Sequence, residues 1–84
     1  MTAGAGICHS EVSVDPESAP VLRGVQLWVA LPDTARNSAR DFNHFAPEPV
    51  SLPGASALVF LGDLVGYRSP VATFTPLLGA QLDL

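Results

Sequence analysis

Residues 24–32 read GVQLWVALP, and this stretch decides the fold class. Val25, Leu27, Val29 and Leu31 alternate with Gly24, Gln26, Trp28 and Ala30. Alternation at period 2 sends successive side chains to opposite faces of an extended chain, which predicts a β-strand over 24–32. Working outward, residues 57–65 (ALVFLGDLV) and 71–84 (VATFTPLLGAQLDL) are apolar runs rich in β-branched, aromatic and Leu residues. Gly or Pro interrupts each, so both read as strands carrying a bend or bulge. Residues 7–14 (ICHSEVSV) alternate too, with Ile7, His9, Glu11 and Ser13 on one side and Cys8, Ser10, Val12 and Val14 on the other.

Helix signals are scarce. Only 33–42 has room for one or two turns, with Asp33 as N-cap after Pro32, while 47–53 (PEPVSLP) and 66–70 (GYRSP) read as loops. Short strands between turn-rich loops predict an all-β sandwich or barrel. The chain has 84 residues with 8 Pro, 7 Gly and 48% apolar positions, the composition of one small globular unit. A unit of that size is marginally stable without a metal, disulfide or partner.

The charge balance removes several function classes. The net charge is −4, Lys is absent, and Arg23, Arg36, Arg40 and Arg68 are scattered, so the basic stripe that a direct nucleic-acid contact needs is not there. No stretch approaches the roughly 18 to 20 uninterrupted apolar residues that span a bilayer, and no membrane association is expected. Cys8 is the only cysteine, which precludes an internal disulfide and fits a reducing, cytoplasmic setting.

His9 and Glu11 are the residues with a chemical pattern. Two apart on a strand, they leave the same face with Cα atoms about 6.5 to 7 Å apart, a spacing from which an imidazole nitrogen and a carboxylate oxygen reach one cation. The same dipeptide spacing also occurs on solvated strand ends, and the pattern by itself leaves both readings open. Cys8, on the opposite face, reads as a small buried residue. Gly4 and Gly6 give a turn, and Trp28 with Gln26 reads as the second packed face of a central strand. Arg36, Arg40 and His44 have helical spacing but read as a solvated loop face. Ser10 points away from His9, and no G-x-S-x-G elbow is present.

MTAGAGICHSEV (1–12) followed by RGVQLWVALP (23–32) resembles pirin segments of the type TAGxGIxHSE and GLQLWVxLP, with a looser likeness through TPLLGAQLDL (75–84). The resemblance implies a cupin jelly-roll β-barrel, two of which make up a full pirin, with a non-haem iron held by three His and one Glu in the first. Residue by residue, His9 matches the third His and Glu11 the Glu. The other two ligands belong to an upstream His-x-His motif, and the only other histidine here is His44. Residues 1–84 are therefore expected to be a partial cupin domain, the second half of a pirin N-terminal domain, with Met1 matching an internal Met and the C-terminal cupin lying outside it.

The implied activity is that of a quercetin 2,3-dioxygenase, with Fe(2+) or another divalent metal as cofactor and a flavonol as substrate. Glu11 would then be the catalytic residue as well as a ligand, accepting the flavonol 3-hydroxyl proton. The alternatives that the resemblance implies are an iron-dependent redox sensor that docks on a protein partner, and a nonfunctional truncated product. With two of four ligands, the 84-residue chain alone is expected to be inactive.

Overall fold

The computed structural model describes residues 1–13, 15, 17–18 and 21–84. Among the described residues five strands form: β1 (Val50–Leu52), β2 (Ala55–Leu61), β3 (Asp63–Leu64), β4 (Tyr67–Arg68) and β5 (Gly79–Asp83). They make an antiparallel sheet of order β1-β2-β5 and a separate β3-β4 hairpin. No helix occurs among the described residues, so the chain is all-β.

Local chemistry explains each turn. Pro53 and Gly54 join β1 to β2, with Leu52 opposite Ala55 and Gly54 at φ +77°. Pro presets the first corner of such a turn and Gly takes the positive φ of the second. The expected bend in the 57–65 run falls at Gly62, where β2 stops and β3 begins. The expected bulge is there as well: pairing with β5 steps from Val59↔Ala80 to Leu61↔Gly79 and leaves Phe60 out of register. The Phe60 ring lies over Gly79, so close that a Cβ on Gly79 would overlap it.

Among the described residues the buried apolar core is three side chains, Val50, Ala57 and Val59. Ala57 and Val59 sit at i and i+2 on one face of β2, and Val50 faces Ala57 across the ladder, as strand periodicity requires. Beside this core Ser69 is buried. Its hydroxyl donates to the Phe60 carbonyl at 2.8 Å and accepts from the Val71 amide at 3.2 Å, while its amide donates to Gly62 O at 2.9 Å. These bonds tie the end of the hairpin to the end of β2.

Several sequence expectations are corrected. Residues 24–32 form no strand: a strand needs a neighbour to take its N–H and C=O groups, and no strand lies alongside this segment among the described residues. Val25, Leu27 and Val29 are exposed and Trp28 is 92% exposed, so Trp28 packs no second face. Residues 7–13 form no strand either, and Val14 lies outside the described residues. Residues 33–38 make turns rather than a helix, closed by Ala35 N–H to Pro32 O and Ser38 N–H to Ala35 O. The loops expected at 47–53 and 66–70 hold β1 and β4. Of 71–84 only Gly79–Asp83 pairs, Pro76 having no N–H to offer a ladder.

The result is a slab of 41 × 39 × 16 Å with a radius of gyration of 15.4 Å, against about 12 Å for a compact domain of this length. A thickness of 16 Å leaves room for one sheet and its side chains, since two stacked sheets alone are spaced about 10 Å apart.

Candidate functional site

The segment that carries His9 and Glu11 begins at a fixed point. Thr2 forms an isolated antiparallel bridge with Asp41, Thr2 N–H donating to Asp41 O at 2.8 Å and Asp41 N–H to Thr2 O at 3.0 Å. Ala5 N–H donates to Ser38 O at 3.1 Å, and Gly6 N–H closes a tight turn on Ala3 O at 2.8 Å. Gly4 and Gly6 have φ of +50° and +125°, conformations that glycine adopts readily, so the turn expected from TAGAG is present. What the sequence could not supply is its docking partner, residues 38–41.

Beyond this turn residues 7–13 run without secondary structure and are exposed apart from the half-buried Ile7. His9 Nε2 and Glu11 Oε1 lie 3.7 Å apart, with side-chain exposures of 40% and 76%. The two side chains thus reach toward each other although no strand holds the segment. At this separation they make no hydrogen bond with each other.

Metal bonds of about 2.0 to 2.2 Å put two ligand atoms about 3.4 Å apart on a tetrahedral ion and about 3.0 Å apart on an octahedral one. The observed pair closes to either distance by small side-chain rotations, which are inexpensive for exposed groups. By donor type and spacing the pair fits two corners of a metal's shell. No group of three or more His, Cys, Asp or Glu side chains is gathered to share a metal among the described residues. His44 is exposed in its loop and joins no such group.

Cys8 is exposed, which corrects the expectation of a buried thiol: among the described residues no strand lies beside 7–13 to cover its side of the segment. Arg36 pairs with Asp33 at 3.4 Å on an exposed turn, and Arg40 is exposed, in keeping with a solvated loop face. In the neighbouring loop the Ser18 hydroxyl and then the Ser18 amide hydrogen-bond the Asp15 carboxylate and hold its carboxyl below the usual aspartate range. A shallow groove of about 610 Å³ runs past Asp63, Arg68, Ser69 and Thr73, and neither His9 nor Glu11 lines it. No helix among the described residues is long and apolar enough to cross a membrane.

Comparison with known proteins gives consistent relatives. A Pseudomonas aeruginosa protein provisionally named a quercetin 2,3-dioxygenase is 39% identical over 83 residues, 98% of this chain and 26% of its own length. Pirin-1 of Arabidopsis thaliana is 38% identical over 79 residues, 90% of this chain and 26% of its own. Human pirin is 35% identical over 87 residues, all of this chain and 29% of its own. The chain therefore spans 26 to 29% of the length of these three curated relatives. No family model matches the chain. No solved structure matches it either.

Proposed function

The chain belongs to the pirin family of cupins, and on that premise we propose that it is part of an iron-dependent dioxygenase of flavonols in which His9 and Glu11 are two of the metal's ligands. The observation that carries this reading is the similarity, along almost the whole chain, to a relative provisionally named a quercetin 2,3-dioxygenase. The 3.7 Å approach of His9 Nε2 to Glu11 Oε1 supports the assignment of the two ligands.

In this reading the neutral His9 imidazole donates its Nε2 lone pair and Glu11 one carboxylate oxygen. Iron(II) bound there would supply the dioxygen chemistry of such an enzyme. The second Glu11 oxygen accepts the proton of the flavonol 3-hydroxyl, leaving the substrate as the more electron-rich anion. The chain spans about a quarter of that relative, so this reading assigns turnover to a protein of the relative's full length and not to residues 1–84 alone.

The test is a chimera in which residues 1–84 replace the matching segment of the Pseudomonas relative, loaded with iron(II) and supplied with quercetin in air. Loss of the flavonol absorbance is expected, and Glu11→Gln should slow it by about 100-fold or more, the usual scale for a lost general base. An iron-loaded chimera that leaves quercetin intact would sink the reading.

A second reading has one observation in its favour. Val21, Leu22, Val25, Leu27, Trp28 and Val29 are all exposed, and a large apolar patch on a soluble protein marks a docking surface. A redox-sensing pirin that acts through a protein partner fits that patch. Such a protein would hold iron and leave quercetin untouched.

A further inference from the structure

Residues 1–6 are pressed against residues 38–41 by three backbone hydrogen bonds, from Thr2 to Asp41, from Asp41 to Thr2 and from Ala5 to Ser38. Gly4 lies inside this contact. Its φ is +50°, and a Cβ built there would overlap the Ser38 carbonyl oxygen and lie 2.9 Å from the carbonyl carbon. Both facts exclude a side chain: the left-handed φ is strained for any L residue, and the obstacle is backbone held by hydrogen bonds rather than the movable end of a side chain. A residue larger than glycine must therefore part the two segments.

That separation has a consequence for the pair downstream. Among the described residues, 7–13 make no backbone hydrogen bond of their own, so the contact at residues 2–5 is the nearest point at which the His9–Glu11 segment is fixed to the rest of the molecule. We infer that Gly4 is a positioning residue for the metal-ligand pair, and that its lack of a side chain lets the turn at 1–6 dock on 38–41 and aim His9 and Glu11. This inference rests on the reading of His9 and Glu11 as metal ligands.

Zinc(II) is the probe, a diamagnetic ion that binds nitrogen and oxygen donors more tightly than iron(II). It is titrated into the full chain while the ring protons of His9 are followed by NMR, with His44 as the reference in the same molecule. Gly4→Ala is expected to raise the zinc Kd about tenfold, the lower end of what a lost orienting contact costs. Amide exchange at Thr2, Ala5 and Asp41 should accelerate while the β2 amides keep their protection. Gly54→Ala is the control, because Gly54 is also at positive φ, +77°, but has open space around it; its zinc affinity should stay native. Thr2→Pro, which deletes the amide proton bonded to Asp41 O, should weaken zinc in the same direction and decides the matter if Gly4→Ala costs the sheet its protection.

Native zinc affinity in Gly4→Ala and Thr2→Pro, with the amides of the contact exchanging freely, overturns the inference. Equal weakening by Gly54→Ala overturns it too. His9→Ala and Glu11→Ala test the ligand reading separately: native affinity in those variants removes the reading and the inference with it, whereas loss there without loss in Gly4→Ala removes only the inference.

Discussion

Val65 is the one non-glycine among the described residues with positive φ, at +47°, beside Gly66 at +84°. Two successive positive φ values turn the β3-β4 hairpin with the twist that strands prefer, but the first of them falls on a β-branched residue, for which the left-handed region costs about 1 to 2 kcal/mol. Val65 is exposed, so nothing in its packing offsets that cost. Val65→Asn makes the Asn-Gly pair that such turns favour, and protection of the Ser69 amide, bonded to Gly62 O at the base of the hairpin, is expected to rise about fivefold; unchanged exchange would mean that the strain is absent. Asp15 offers a pH-dependent counterpart. Its carboxyl is held low by the Ser18 hydroxyl and then the Ser18 amide, so the folded value lies below the unfolded one. The associated stabilisation is present above the ordinary aspartate value and is lost as pH falls through the lowered one. Ser18→Ala should move the Asp15 titration upward, read from its carboxyl carbon by NMR; a midpoint that stays put would refute the hydroxyl's part.

At the scale of elements the sheet depends on one close approach, that of Phe60 to Gly79. A Cβ at position 79 would meet the Phe60 ring at the point where Leu61 pairs with Gly79 past the bulge. Gly79→Ala is expected to cost about 1 to 3 kcal/mol of overpacking, read as faster exchange of the β2 and β5 amides, and Phe60→Leu in the same chain should recover part of it. Phe60 and Gly79 also mark how far the sequence was legible. The bulge and bend in 57–65 could be read because Gly62 interrupts an apolar run, and the TAGAG turn because two glycines fall close together. The strand expected at 24–32 failed for a different reason. Alternation assigns faces to an extended chain but carries no information on which strand will satisfy its backbone, and among the described residues no strand pairs with Val25 to Leu31. β1 and β4 were hidden for the opposite reason: at 3 and 2 residues they are too short to alternate, and their positions follow from the turns at 53–54 and 65–66. His9 and Glu11 could be singled out from spacing alone, whereas the docking of their segment on Ser38 and Asp41 is a long-range contact between two loops, and loops have no period to read.

For the whole molecule the deciding quantity is how little is buried. The accessible surface is 7277 Å², where a compact protein of 8.8 kDa exposes about 4800 Å². With three core side chains, the apolar area removed from water at about 25 cal/mol per Å² is small beside the conformational entropy of ordering the chain, so a single cooperative unfolding transition is not expected. Trp28 makes this measurable, because it is the only tryptophan and is 92% exposed. Its fluorescence should peak where free tryptophan in water does, be quenched by iodide nearly as fast, and shift little on adding urea. The exposed run from Val21 to Val29 should also make the isolated chain self-associate as its concentration rises, through unpaired backbone and apolar side chains together. Leu27→Lys, on a side chain that is 67% exposed and therefore adds little to the core, should suppress that association without loss of β2 protection. A blue-shifted Trp28 emission in a dilute, monomeric sample, with a sharp urea transition, would show instead that residues 24–32 find a packed place within a single chain and that the slab closes on itself.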